Sequence, residues 1–462
     1  MATPKGKEEF ILTFWGGVGT VTGAHFMLEG AGTRLLVDCG LVQGHFRVGD
    51  KENRAPFPYD PASVDALFVT HSHIDHVGRI PKLVHDGFTS PIYSTPPARD
   101  IAEAMLYDSM GVLEKEARRD NLPPLYAEAD VAAAMRLWKT ADYHEDIPLA
   151  GGIVARFRDS GHVLGSSMVE FSYNGRKIVF TGDLGNSPSP LLPDPEEVTD
   201  ADYLVIESVY GDRNHEPHEE RKRRLEAIIE RTVKEKGVLM IPAFSLERTQ
   251  EILYEINSLV ENMNIPPVPI YLDSPLAIKV TGLYAKWSGY FNGRARALIK
   301  GGDDVFNFPG LVKTMTTEES RAILNSPDPK VIIAGSGMSN GGRIIHHEKN
   351  YLPDEKNTLL LVGYQAAGTP GRIMQDGAGT VKILGEEVPI RARVETISGY
   401  SAHKDSDGLM EFVGRTKDKA KQVFAVMGEP KAALFFVQKL RDYLGVNASA
   451  PMPGDRVTLD MK

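Results

Sequence analysis

Apolar positions in the first 70 residues come in short bursts separated by glycine: Phe10–Trp15, His25–Glu29, Arg34–Asp38 and Ala66–Thr70. Bursts this short, bounded by turn-forming residues, predict β-strands. A longer helical periodicity follows at Ala98–Arg118, and strands return at Ile153–Arg158, Met168–Tyr173, Lys177–Thr181 and Tyr203–Glu207. Strands with helices outside them predict sheet layers covered by helices. From about residue 209 the rhythm changes. A charged helix (Glu219–Lys236) leads to strand Val238–Pro242, helix Glu247–Asn262 and strand Pro269–Leu272, with later strands at Val331–Ala334 and Leu359–Val362. Strand alternating with helix predicts a parallel α/β domain. The last segment, with strand Gln422–Val426 and helix Lys431–Leu444, returns to the texture of the first. The pattern predicts one domain inserted into another.

Composition narrows the class. A chain of 462 residues exceeds one ordinary core, so two or three domains are expected. Its 42% hydrophobic and 25% charged residues are ordinary for a globular protein. No apolar run approaches the roughly 20 residues of a membrane span, and the start MATPKGKEEF is not a signal peptide. Cys39 is the lone cysteine, so no internal disulfide can form and a cytoplasmic location is expected. The net charge of −10 argues against general adhesion to nucleic acid, though a local basic cleft stays open.

The chemistry concentrates in Thr70-His71-Ser72-His73-Ile74-Asp75-His76, directly after an apolar strand. A turn at a strand end can aim imidazoles and a carboxylate at one point, a donor set that zinc accepts. Three more strand ends deliver a metal-competent side chain: Asp38, His162 and Asp183. Alone, each is more often a cap or a core residue. With the His-rich turn they form a set. His346 and His347 are adjacent on a helix, about 100° apart, and are expected at the surface or at most on substrate. His25, His45 and the His215/His218 pair receive no role.

The set resembles the metallo-β-lactamase superfamily, whose HxHxDH motif is matched by His71, His73, Asp75 and His76. The resemblance implies an αββα sandwich holding two zinc ions. His71, His73 and His162 would bind the first, Asp75 and His76 the second, with Asp183 bridging and Asp38 orienting ligands through hydrogen bonds. Three later motifs narrow the likeness: Glu207-Ser208-Val209-Tyr210-Gly211, the turn Ser336–Arg343, and Ser401-Ala402-His403. They resemble the β-CASP group of nucleases. That likeness implies a fold of residues 1–208 and 395–462 as the sandwich, with an inserted parallel α/β domain at 209–394. It also implies hydrolysis of RNA by a metal-bound hydroxide, in which Asp75 polarises water and His403, held by Glu207, protonates the leaving oxygen. Ser336, Gly337, Met338, Gly341, Gly342 and Arg343 would cradle a phosphate. A homodimer is compatible with this reading, and no membrane is involved.

One position departs. RNA-cleaving members carry a histidine ligand where this chain has Met427 in Val426-Met427-Gly428-Glu429. A thioether is a poor substitute for imidazole on zinc beside carboxylates, so the second ion is expected to bind more weakly. DNA-cleaving members carry an apolar residue there, which keeps DNA open as substrate. Two rivals stand beside the ribonuclease: a catalytically impaired nucleic-acid-binding relative, and a metallohydrolase of small substrates. The second leaves Glu207, His403 and the glycine turn without a task.

Overall fold

The computed structural model describes residues 9–43, 51–216, 218–366 and 368–462, so His45 and the His218 side chain lie outside the described residues. The chain divides into two units. The first comprises Met1–Ser187, Asp194–Asn214 and His403–Lys462, and the second Pro188–Pro193 and His215–Ala402. These limits at 214 and 402 fall a few residues beyond the expected 208 and 394, and a short piece at 188–193 joins the second unit.

The first unit is built on two seven-stranded sheets. One runs Arg456–Leu459, Phe10–Gly16, His25–Gly30, Thr33–Val37, Ala66–Phe68, Ile92–Ser94, Trp138–Thr140. The other runs Ala448–Ser449, Gln422–Val426, Tyr203–Glu207, Arg176–Phe180, Ser167–Tyr173, Val154–Asp159, Ile147–Pro148. Strand Tyr203–Glu207 explains the layering. Tyr203 and Val205 join Phe14, Phe26, Phe68, Phe171 and Phe424 between the sheets. Leu204 and Ile206 face the other way, onto Leu409 and Val413 of helix Ser406–Gly414 and Phe436 of helix Pro430–Lys439. Both faces are buried, so the strand reads as an unbroken apolar run. Removing one such aromatic, as in Phe68→Ala, costs about 3–5 kcal/mol through lost transfer energy and the cavity left behind.

The outer face of the first sheet is covered by helix Pro96–Arg119. Thr95 caps it by accepting from the Ala98 amide, and Pro96 occupies the first turn, where its missing N–H costs nothing. Ala98, Ala102, Leu106 and Ser109 form its buried stripe. Helix, sheet, sheet and helix make the αββα order.

The second unit carries a six-stranded parallel sheet: Leu311–Lys313, Ile270–Leu272, Lys330–Ala334, Val238–Pro242, Thr358–Leu361, Arg393–Thr396. Parallel neighbours need crossover helices, supplied by such segments as Arg248–Glu261 and Pro275–Lys286. Val238–Pro242 lies at the centre. The strands between 270 and 334 sit on one side of it and those after 358 on the other, so its C-terminal end is a topological switch point. Among the described residues no helix is long and apolar enough to cross a membrane.

Candidate metal centre

The first unit gathers His71, His73, His162 and Asp183, with one ligand atom from each lying within 4.8 Å of the others. His71 follows strand Ala66–Phe68, and His73 immediately precedes the short helix Ile74–Val77 without capping it through its side chain. Gly40 lets that turn pack closely, because a Cβ there would stand 1.5 Å from the Asp75 carbonyl oxygen. His162 is anchored by its amide, which donates to Ser166 Oγ at 3.0 Å. Asp183 leaves strand Arg176–Phe180 through Gly182, whose φ of +54° suits glycine.

The distances test whether these residues fit an ion. Tetrahedral zinc with bonds of about 2.0–2.1 Å separates its donors by roughly 3.3–3.4 Å. His73 Nδ1 lies 3.0 Å from His71 Nε2 and 3.3 Å from His162 Nε2. Asp183 Oδ2 lies 3.5 Å from His71 Nε2 and 3.6 Å from His162 Nε2. Four edges of a tetrahedron are therefore in place.

Hydrogen positions agree. Thr70 Oγ1 donates to Asp38 Oδ2 at 2.8 Å. Its one hydrogen is thereby used, so at 3.1 Å from His71 Nδ1 it accepts, and that nitrogen carries the ring hydrogen. His71 Nε2 is left with a bare lone pair facing the centre. Asp38 also accepts from His76 Nδ1 at 2.7 Å, which turns His76 Nε2 inward in the same way. His76 Nε2 and Asp183 Oδ1 are both buried without a hydrogen-bond partner, the condition of atoms shaped for a cation. His76 Nε2 lies 3.5 Å from Asp183 Oδ2 and 3.9 Å from Asp75 Oδ2, a second and looser group on the other side of Asp183.

Charges follow the same layout. Burial and the neighbouring rings hold His71 well below the usual histidine value. Burial works against charging His76, but the Asp183 and Asp38 carboxylates outweigh it and raise that ring. Burial pushes Asp75 up to about 6, with Asp183 adding repulsion against the pull of His76.

Beside this centre Asp183, Glu207 and His403 form another close group. Alternation along Tyr203–Glu207 puts Glu207 on the inner face at the strand end. Its Oε1 accepts from the Leu184 amide at 2.6 Å, and its Oε2 lies 3.1 Å from His403 Nδ1. Burial alone would lower His403, yet Glu207 and Asp183 hold it at about 9.

Met427 borders the residues that orient these ligands. It is 2% exposed and packs between the sheets with Phe26, Val205 and Phe424. It lines a cavity of about 10 Å³ whose walls include Asp38, Thr70 and His76, so it touches the layer beneath the ligands.

In the second unit the turn after Lys330–Ala334 spends the guanidinium of Arg343 internally. Nη1 donates to Asp273 Oδ1 at 2.7 Å and to Thr314 O at 3.0 Å, and Nη2 to Met315 O at 2.8 Å. The expectation that Arg343 grips phosphate is corrected in this respect: it ties the turn to the neighbouring strand. The expectation of two surface histidines is corrected too. His346 is exposed, but His347 is 2% exposed and bonds Asp273 Oδ2 at 2.7 Å, because the 100° step along the helix turns one ring onto the sheet. Among the described residues, the amides of Gly337, Met338, Gly341 and Gly342 donate no hydrogen bond. Thr70 is the positioning residue that sequence reasoning passed over, although its place just before the His-rich turn was a signal.

An αββα sandwich with converging imidazoles and carboxylates at its strand ends defines a metallohydrolase of the β-lactamase type. Residues 19–235 match the metallo-beta-lactamase superfamily, 249–374 the Beta-Casp domain, and 387–451 the Zn-dependent metallo-hydrolase RNA specificity domain. The chain belongs to the β-CASP branch of that superfamily. It is 39% identical to Ribonuclease TTHA0252 of Thermus thermophilus, over 86% of this chain and 89% of the relative. It is 31% identical to Transcription termination factor FttA of Methanosarcina mazei, over 96% of this chain and 71% of the relative. An RNase J-like protein of Methanocaldococcus jannaschii is 30% identical, over 96% of this chain and 98% of the relative. The fold also resembles the crystal structure of a protein of unknown function from Enterococcus faecalis, with a TM-score of 0.58 at 14% identity over 98% of this chain and 100% of the other.

Proposed function

We propose that the protein is a zinc-dependent ribonuclease that hydrolyses phosphodiester bonds of single-stranded RNA in the cytoplasm. The observation that carries this reading is the four-donor group of His71, His73, His162 and Asp183 with the Glu207–His403 pair beside it. A nuclease needs both, while the hydrolysis of a small ester or lactone gives His403 no comparable task. Relatives whose names describe a ribonuclease and an RNase J-like protein point the same way.

His71, His73, His162 and Asp183 would hold one zinc, and Asp183, His76 and Asp75 a second. Bound there, the ions supply Lewis acidity and counter-charge for a phosphate. Thr70 and Asp38 keep the lone pairs of His71 and His76 aimed at them. Glu207 accepts from His403 Nδ1, which fixes the ring and stabilises its charged form, so His403 can deliver a proton from Nε2 to the departing oxygen. The four unpaired amides of the glycine turn offer donors to a phosphate of the bound strand.

The test is cleavage of end-labelled single-stranded RNA and a matched DNA by zinc-loaded protein. RNA cleavage that chelation abolishes and zinc restores supports the reading. Preference for DNA would overturn the choice of substrate.

A further inference from the structure

Phe244 stands just after the central strand Val238–Pro242, at the switch point of the parallel sheet. It is 39% exposed, whereas the core phenylalanines Phe14, Phe68 and Phe424 are at 0%. One side of its ring is backed by glycine. A Cβ on Gly337 would come within 2.7 to 3.0 Å of three ring atoms, and one on Gly363 would lie 3.7 Å from the ring. Gln365 Nε2 donates to Gly337 O at 3.0 Å and to Gly363 O at 3.3 Å, tying the two turns together behind the aromatic. The residue's own carbonyl is clamped by the amide and hydroxyl of Thr249, at 3.2 and 2.8 Å. The ring is thus held from behind and has no aromatic partner among the described residues.

An apolar lid over Gly337 would need only bulk. What distinguishes Phe244 is a flat ring with open area, fixed against the same turn whose Gly337 and Met338 amides stay unpaired. Open α/β sheets bind ligands outside the carboxyl ends of their strands at such a switch point. A nucleotide presents two chemistries side by side, an anionic phosphate and a flat aromatic base. The turn suits the first and the ring the second.

The geometry points to Phe244 as a stacking platform for one base of the bound strand, next to the nucleotide whose phosphate rests on the Gly337–Gly342 turn. This rests on the ribonuclease reading above. Stacking is indifferent to base identity, because every base has a π-face, but it requires an unpaired base. The platform therefore selects single-stranded over duplex nucleic acid without selecting a sequence.

The experiment uses full-length, zinc-loaded protein and a hydrolysis-resistant phosphorothioate RNA carrying 2-aminopurine at each position in turn. Wild type should quench the fluorophore strongly at one position, and Phe244→Trp should keep that quench. Phe244→Leu retains apolar packing on Gly337 but should lose the quench and bind about 5- to 100-fold more weakly. An abasic site at the same position should weaken wild type by a similar factor and leave Phe244→Leu unchanged. On cleavable RNA, Phe244→Leu should raise KM with kcat nearly intact. A thermal melt matching wild type shows that the Leu variant is folded, and Phe244→Met, which also lacks the ring, gives the same test should it not be. Equal quench and affinity in Phe244→Leu and wild type overturns the platform alone. No binding of RNA by zinc-loaded wild type overturns the ribonuclease reading with it.

Discussion

Thr70 Oγ1 donates its one hydrogen to Asp38 Oδ2 at 2.8 Å and therefore meets His71 Nδ1 as an acceptor. That relationship settles the tautomer of His71 and turns its Nε2 lone pair inward. Thr70→Val keeps the volume and removes the hydroxyl. We expect metal affinity to fall about 10–100-fold, as for other residues that orient a metal-bound histidine. Asp38→Asn should act in the same direction, through His76. Chelator competition measures both, and unchanged affinity in either variant contradicts the assigned role.

His403→Ala should lower the rate of RNA cleavage by about 10²–10⁴ while metal content stays intact. Glu207→Gln, which keeps the shape but not the charge, should give a smaller loss. Single-turnover rates with parallel zinc analysis separate the outcomes. Loss of zinc in His403→Ala would recast the residue as a ligand.

Glu348 offers a pH test away from the metal centre. It is fully buried and accepts from Ser339 Oγ at 2.5 Å, and burial raises its carboxyl from 4.5 to about 7 against that hydrogen bond. A carboxyl raised in the folded state binds more protons there than in the unfolded chain, so stability falls as pH rises between those two values. Ionising it costs about 3 kcal/mol at most, fully felt above pH 7. Glu348→Gln should therefore match wild type below about pH 4.5 and be the more stable above 7. Thermal melts across pH decide it, and a constant difference between the two proteins rejects it.

Much of this was legible in the chain. Strands Tyr203–Glu207, Val238–Pro242 and Gln422–Val426 have the limits that their apolar runs suggest, because burial on both faces keeps their interior positions apolar and leaves polar residues only at their ends. Strand Arg456–Leu459 was not legible. It is short, half polar, and pairs with Phe10–Thr13 at the far end of the chain. The His-rich turn announced itself because four donors in six residues have few structural uses. Thr70 did not, since threonine is common beside strands and its meaning lies in a hydrogen bond 32 residues away. Arg343 misled for a related reason. Beside a glycine turn it suggests phosphate, but Asp273, 70 residues upstream, claims its charge.

Met427 gives a further test. Imidazole in its place would line the same small cavity as His76 and Asp38. Met427→His should destabilise the metal-free protein by about 1–3 kcal/mol, the usual effect of an unpaired polar group in an apolar layer. It should also raise affinity for the second zinc. Metal titration followed by melting reads both, and equal second-site affinity would falsify the view that a ligand position has been lost there.

The most direct measurement is zinc content and RNA cleavage in wild type beside His73→Ala. His73 Nδ1 joins two sides of the donor group, at 3.0 Å from His71 Nε2 and 3.3 Å from His162 Nε2. Wild type should carry tightly bound zinc and cleave single-stranded RNA, and His73→Ala should lose both while remaining folded. A wild-type protein with only trace zinc that still cleaves, or a His73→Ala variant with full activity, contradicts the account.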